Sequence, residues 1–253
     1  MTQLIDDDVR KQHELIHGRK LLAHNAAEIW GHTSLAGQRR VLRRIQIMAD
    51  LIKPNSSTRM VELGCGLGIF SKELAKTEAQ IIAIDISPDL LNAARARIKV
   101  SNVNFIEGDC MKLEDISCLQ NTDAVVGNSI LHHLNIVKAL NSIYKVLKPG
   151  GRIIFFEPNM LNPQILLQKN IPWLKRLAGD SPDETAFFRR SLKHLLIKSG
   201  FTNDSVTPFD FLHPSTPTFF VDALEKIGKI MEKVPVIKEI SGSLLITAVK
   251  PLV

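Results

Sequence analysis

Cysteine is scarce in this chain of 253 residues, and so are long apolar runs. The three cysteines, Cys65, Cys110 and Cys118, are an odd number and include no C-x-x-C pair, which excludes a disulfide framework and a zinc knuckle and suits a reducing, cytoplasmic setting. The longest uninterrupted apolar runs, among them Ile81–Ile84 and Ile153–Phe156, are four residues, far short of the roughly 18 to 20 that span a bilayer. An export signal is not expected either, because Asp6, Asp7 and Asp8 stand where such a signal carries bases before an apolar stretch. Acids are fewer than bases, 26 against 32, and the resulting charge of +6 is too mild to argue for nucleic acid by itself. What is present is ordinary globular usage, 45% hydrophobic and 23% charged, which excludes overall disorder.

Short runs rich in Ile, Val and Phe alternate with stretches of helical periodicity, the pattern of an α/β fold with a mostly parallel sheet. Strands are predicted at Met60–Leu63, Ile81–Asp85, Val103–Glu107, Ala124–Asn128 and Arg152–Glu157. Helices are predicted between them at Ile69–Thr77, Pro88–Val100 and Ile136–Leu147, each with apolar residues at i, i+3, i+4 spacing. Lys148-Pro149-Gly150-Gly151 is read as the stop after the last of these. Two helices, around Val9–Ile29 and Gly37–Ile52, precede the sheet. Beyond it come a helix at Ser191–Lys198, a strand at Phe201–Phe211, an amphipathic helix at Thr218–Glu232 and a last strand at Ser243–Lys250. The division expected is N-terminal helices over 1–55, a core over 56–158, a helical cap or lid over 159–190, and the remainder of the domain over 191–253.

The most informative stretch is Val61-Glu62-Leu63-Gly64-Cys65-Gly66-Leu67-Gly68-Ile69-Phe70, a strand entering a glycine turn and then a helix. Without Cβ atoms at Gly64, Gly66 and Gly68 the backbone can turn sharply and approach a ligand closely. Asp85 closes the next strand 21 residues after Gly64, where an acid can accept both hydroxyls of a ribose. Asp109 follows the third strand, where a carboxylate can meet the exocyclic amine of an adenine. A dinucleotide motif would need glycine at 69, where this chain has Ile69, and no phosphate loop of the G-x-x-x-x-G-K-[ST] kind occurs. NAD and ATP are therefore disfavoured.

With these segments in order, joined by Asp123-Ala-Val-Val-Gly-Asn-Ser-Ile-Leu-His-His-Leu134 and Leu147-Lys-Pro-Gly-Gly-Arg-Ile-Ile-Phe-Phe-Glu157, the chain resembles a class I S-adenosylmethionine-dependent methyltransferase. The resemblance is strong over about 58–158 and looser elsewhere. It implies a Rossmann-like sheet of seven strands, mostly parallel, with helices on both faces and the last strand antiparallel. It further implies that Glu62 and the turn of Gly64, Cys65, Gly66 and Gly68 hold the methionine end of the cofactor. On the same grounds Asp85, with Ile86 beside it, binds the ribose, Asp109 with Cys110 frames the adenine, and the backbone at Asn128 and Ser129 lies near the sulfonium. The segments Trp30–Arg40, Phe156–Asn159 and Ser243–Pro251 are similar to small-molecule and sugar-modifying bacterial members.

Methyl transfer needs an aligned acceptor and a way to remove its proton. His132 and His133, just past the fourth strand, stand where the acceptor should face the methyl group. A neutral imidazole there can take a proton from a hydroxyl, and His133 is the preferred base. The other reading is that one ring packs beneath the loop and its neighbour only shapes the pocket. The [DNS]-P-P-[YFW] signature of exocyclic-amine methylation and the Pro-Cys of base-carbon methylation are both missing, so a nucleic-acid acceptor is not expected. The expectation is O-methylation of a small molecule, with N- or C-methylation of a small molecule or lipid, or a non-catalytic cofactor-binding partner protein, as alternatives. No metal is called for.

Three further features bear on the acceptor. Arg39, Arg40, Arg43 and Arg44 form two i, i+4 pairs read as a solvated face, with a phosphate or anionic-lipid contact as the sharper alternative. Ile165–Leu177, including Trp173, is read as a lid over the pocket, with a peripheral membrane contact as the second reading. His213 is a candidate to reach the acceptor from the opposite side. Oligomeric state has no signature.

Overall fold

The computed structural model describes residues 7–23, 28, 31–177 and 184–252. Helices α1 (Asp7–Ala23) and α2 (Leu35–Ile52) lead into the strands β1 (Arg59–Leu63), β2 (Gln80–Asp85), β3 (Val103–Glu107), β4 (Thr122–Asn128) and β5 (Leu147–Pro158). Between these strands lie α3 (Ile69–Leu74), α4 (Pro88–Arg97) and α5 (Ile136–Val146). After β5 come α6 (Pro163–Asn170), α7 (Pro172–Leu177), α8 (Arg189–Lys198), β6 (Thr202–Phe209), α9 (Val221–Met231) and β7 (Ser243–Val249).

The seven strands form one sheet in the order β3-β2-β1-β4-β5-β7-β6. The first five are parallel, and β7 runs antiparallel to both β5 and β6. The mostly parallel sheet with an antiparallel last strand is the one expected from the sequence. Its central strands are near-continuous apolar runs because both faces are covered, Val125, Ile153 and Phe155 packing on one side and Val126, Ile154 and Phe156 on the other.

Local signals set most of the boundaries. Ser34 caps α2, its Oγ accepting from the Gly37 N–H at 2.9 Å, and Ser87 and Asn135 cap α4 and α5 in the same way. The helix predicted over Pro88–Val100 stops at Arg97, since Ile98 turns to an extended φ of −113° and buries its side chain in the core cluster that includes Phe105 and Phe70. The fifth strand starts earlier than the proline and glycines suggested. Leu147 already pairs with Thr122, and the Lys148–Gly151 stretch is carried as an irregularity at the edge of that pairing. The first helix ends at Ala23; of the rest of its predicted span only Glu28 is among the described residues, and Trp30 lies outside them. Within the span read as a cap, α6 and α7 are followed by a bridge that ties Phe187 to Asn159, while 178–183 lie outside the described residues. Among the described residues no helix is long and apolar enough to cross a membrane.

Candidate active site

The sheet order reverses between β1 and β4, so the carboxyl ends of these neighbours diverge and leave a crevice, the place where open α/β sheets bind ligands. A cavity of about 520 Å³ opens there, within the range that holds a cofactor or a small molecule. The glycine turn forms its floor. Gly64, Gly66 and Gly68 have φ of +64°, +51° and +73°, a region side chains avoid. Gly64 and Gly66 line the cavity, and a Cβ on Gly64 would sit 2.6 Å from Ile130. Gly68 does not line it. A Cβ there would meet Ile98 at 2.4 Å, so this glycine serves the close packing of α3 against α4 and β3.

Asp85 joins the turn to the second strand. Its Oδ2 accepts from the Gly66 N–H at 2.8 Å and its Oδ1 from the Ser87 N–H at 2.9 Å, which leaves each oxygen a further lone pair for a ligand hydroxyl. Burial pushes its carboxyl up, partly offset by those two backbone donors. Glu62 lies deeper, accepting from Ser71 Oγ at 2.5 Å, and burial with the Asp85 charge nearby pushes it up to about 8. Asp109 holds its own turn through the Met111 N–H at 2.8 Å, and burial pushes the Cys65 and Cys110 thiols up, so both behave as apolar wall. Glu62, Cys65, Asp85, Ile86, Asp109, Cys110, Asn128 and Ser129 all line the same cavity. An acid after each of two strands beside a glycine turn, Asp85 buried and Asp109 half-buried, is a donor set that fits an adenosine ribose and base. Glu62 beside the turn suits a cationic amino-acid end.

His132 and His133 occupy a single turn after β4, at Leu131–His133, with ring centroids 4.3 Å apart. Glu157, at the end of β5, accepts from the Ile130 and Leu131 N–H groups at 3.0 and 2.8 Å and lies 2.7 Å from His132 Nδ1. Glu14 of α1 lies 3.1 Å from His133 Nδ1. The other ring nitrogens face Glu184, His132 Nε2 at 3.8 Å and His133 Nε2 at 3.9 Å, while Lys169 of α6 holds Glu184 Oε2 at 2.8 Å. Burial lowers the His132 pKa, and its neighbouring imidazole adds to this. Burial also opposes a charge on His133, but the Glu14, Glu184 and Glu157 carboxylates outweigh it and raise that ring.

Three of the four arginines of α2, Arg40, Arg43 and Arg44, overturn the reading of a solvated face, while Arg39 stays exposed as that reading expects. Arg44 is only 6% exposed: its Nη2 donates to Asp210 Oδ2 at 3.0 Å and Ser243 Oγ at 2.8 Å, and its Nη1 to Asn128 Oδ1. Arg40 adds a bond to Asp210 at 2.7 Å, and Arg43 grips Glu232 through both guanidinium nitrogens. Burial opposes the Asp210 charge, yet the two arginines hold its carboxyl below the usual range. His213 lines the cavity opposite the histidine pair, with Nε2 3.0 Å from the Gln164 amide and Nδ1 accepting from the Ser215 N–H. Trp173 is not brought in; it is 60% exposed on α7, outside the lining. Glu14, Arg44, Lys169, Glu184 and Asp210 were missed as individual site residues. For Glu14 alone a signal existed, its place three residues before His17 on one helix face.

A glycine turn and strand-end acids at the switch point of this strand order are the arrangement of the class I S-adenosylmethionine-dependent methyltransferases. The family model described as "Methyltransferase domain" matches residues 54–195, more than half of the chain, and the chain belongs to that family. It is similar to a ubiquinone biosynthesis O-methyltransferase of Xanthomonas axonopodis pv. citri, 31% identical over 44% of this chain and 46% of that protein. It is likewise similar to a demethylmenaquinone methyltransferase of Lactococcus lactis, 26% identical over 56% of this chain and 65% of that one. The chain spans about half the length of the first of these relatives. In fold it resembles a Thermotoga maritima S-adenosylmethionine-dependent methyltransferase, described as a possible histamine N-methyltransferase, with a TM-score of 0.65 at 20% identity over 93% of this chain and 98% of that one.

Proposed function

We propose that the chain transfers the methyl group of S-adenosylmethionine to a hydroxyl of a small molecule. The observation that carries this reading is that Asp85 and the glycine turn share one continuous cavity with His132, His133 and Glu184, so cofactor and acceptor groups face one space. The cofactor supplies a methyl carbon already activated by a positive sulfur, and Glu62, Asp85 and Asp109 are the residues that would hold it. The rest falls to the chain: it aligns the acceptor, excludes water and takes away a proton. His133 is the ring on which proton removal depends. Gln164, Ile165, Gln168 and Lys169 of α6 close the cavity from above, which supports the cap reading for 159–190. The O-methyltransferase among the relatives supports a hydroxyl acceptor.

Two other readings have an observation behind them. The carboxylates of Glu14 and Glu184 would suit an amine acceptor. The exposed apolar side chains Leu166, Leu167, Trp173 and Leu177, beside Lys175 and Arg176, would suit an acceptor drawn from a lipid surface. Methyl-labelled S-adenosylmethionine offered with matched hydroxyl and amine acceptors tests all of this. An acid-stable labelled ether supports the reading, an N-methyl product replaces it, and absence of any transfer with the cofactor bound makes the chain a cofactor-binding partner protein. Label recovered only in vesicle-borne acceptors, with Trp173→Glu abolishing co-sedimentation, selects the lipid surface.

A further inference from the structure

Three electron-rich groups converge at one point of the cavity wall, and the fold supplies each with a support behind it. His132 Nε2 and His133 Nε2 lie 3.8 and 3.9 Å from the two oxygens of Glu184, too far for hydrogen bonds and close to the separation of two ligands on one metal ion of 2.0–2.2 Å bond length. One ligand atom from each of the three residues lies within 4.8 Å of the others. Behind them, Glu157 Oε2 sits 2.7 Å from His132 Nδ1 and Glu14 Oε2 sits 3.1 Å from His133 Nδ1. Glu14 lies beside His133 Nδ1 without a hydrogen bond to it, while the Glu157 carboxylate on His132 Nδ1 makes that nitrogen the N–H and leaves a lone pair on Nε2. That carboxylate is the support that metal-binding histidines almost always have.

With His133 in the same tautomer, two imidazole lone pairs face a carboxylate, and a divalent ion bound among the three would relieve their repulsion in place of a proton on one ring. Protonating both rings would put two imidazolium charges on rings 4.3 Å apart in a buried wall. Lys169 Nζ, 2.8 Å from Glu184 Oε2, steadies one oxygen of the carboxylate in the way that ligating carboxylates are themselves hydrogen-bonded; Oε1, 3.9 Å from His133 Nε2 and 4.0 Å from His17 Nε2, is the oxygen that would turn to the ion.

We propose that His132, His133 and Glu184 form a binding site for a divalent transition metal of the zinc or iron(II) class. Two imidazoles with one carboxylate and open positions select such ions over magnesium or calcium, which prefer all-oxygen shells. The open positions face the cavity, where a hydroxyl oxygen on the ion loses its proton to solvent at a lower pH than the free alcohol does. His133 then serves proton removal as a ligand and not as the acceptor of the proton. This rests on the methyl-transfer reading, and specifies how the hydroxyl is activated.

The test is cobalt(II) titration of tag-free, chelator-stripped whole protein without acceptor, read by visible absorption, with S-adenosylmethionine calorimetry and thermal melting on the same samples. The expected result is one equivalent bound with intense bands of low coordination number, displaced by zinc, and an affinity at least about tenfold weaker in both Glu184→Gln and His133→Gln. Weak, non-stoichiometric bands, or bands unchanged in whichever variant keeps its melting transition, overturn the metal site. If cobalt binds as expected but the cofactor gives no saturable heat, the metal site stands and the methyl-transfer reading falls. If the cofactor binds and cobalt does not, the reverse holds.

Discussion

Glu157 and His132 lie 25 residues apart in sequence and 2.7 Å apart in the fold, the carboxylate at the end of β5 facing the ring just past β4. The same carboxylate accepts from the backbone of Ile130 and Leu131, so one buried side chain sets both the course of the β4 loop and the direction in which the imidazole points. Replacing Glu157 with Gln keeps the shape but exchanges an oxygen acceptor for a donor. We expect a loss of about 1–3 kcal/mol in stability, the cost of leaving buried donors unpaired, together with a drop in methyl transfer of tenfold or more. Denaturant titration and turnover on one sample check both; an unchanged rate in a folded variant rejects the positioning role.

Asp85→Ala removes the acceptor of two backbone N–H groups as well as the group proposed to hold the ribose. Hydrogen bonds to a charged partner contribute about 1.5–3 kcal/mol, so S-adenosylmethionine should bind roughly 10- to 150-fold more weakly. Calorimetry reads this directly, and equal affinity in mutant and wild type would remove Asp85 from the site.

Glu62 is pushed up to about 8 by burial, well above the 4.5 of an ordinary glutamate, so in the cofactor-free protein it is neutral at pH 7. Because the folded state holds this proton more tightly than the unfolded chain does, its contribution to stability is full below about 4.5 and lost as pH rises toward 8. A cationic cofactor end favours the ionised form. Cofactor affinity should therefore rise between pH 7 and 8.5, with proton release seen in buffers of different ionisation enthalpy. Glu62→Gln should flatten that dependence.

Asp210 behaves in the opposite sense. Burial works against its charge, but Arg40 and Arg44 hold its folded pKa below the 3.8 of an ordinary aspartate, so its stabilisation is present above that range and is lost as pH falls through the lower folded value. Arg44→Met leaves Asp210 with Arg40 alone. Breaking one arm of a buried pair costs about 3–5 kcal/mol when no partner remains, so a loss at or below that lower figure is expected in thermal melts near neutral pH. The Asn128 carboxamide also loses its donor, and cofactor affinity should fall with it.

The strand, turn and helix from Val61 to Phe70 could be read directly, because a glycine's freedom and a strand's apolar run are properties of adjacent residues. Asp85 and Asp109 were legible for a similar reason, each closing a strand whose end is marked by its own sequence. The arginines of α2 were not. Read along one helix, Arg40 and Arg44 are an i, i+4 basic pair of the kind that faces water, and nothing local announces that Asp210, 166 residues beyond Arg44, lies beneath them. Trp173 failed in the opposite way: its apolar side chain suggested burial over a pocket, yet α7 carries it outward.

The sequence by itself determined the α/β class, the order of strands and helices through β5, and the nucleoside-binding edge of the sheet. Each depends on periodicity or on backbone freedom within about ten residues. Only the tertiary structure decided what faces His132 and His133. Glu14 arrives on the first helix, Glu157 on the fifth strand and Glu184 from beyond α7, and their convergence depends on the reversal of strand order between β1 and β4 and on where the path of the chain brings α1 and Glu184. Side-chain convergence of that kind is set by the path of the whole chain, since burial supplies its driving force and no local pattern specifies which distant carboxylate will be brought to which ring.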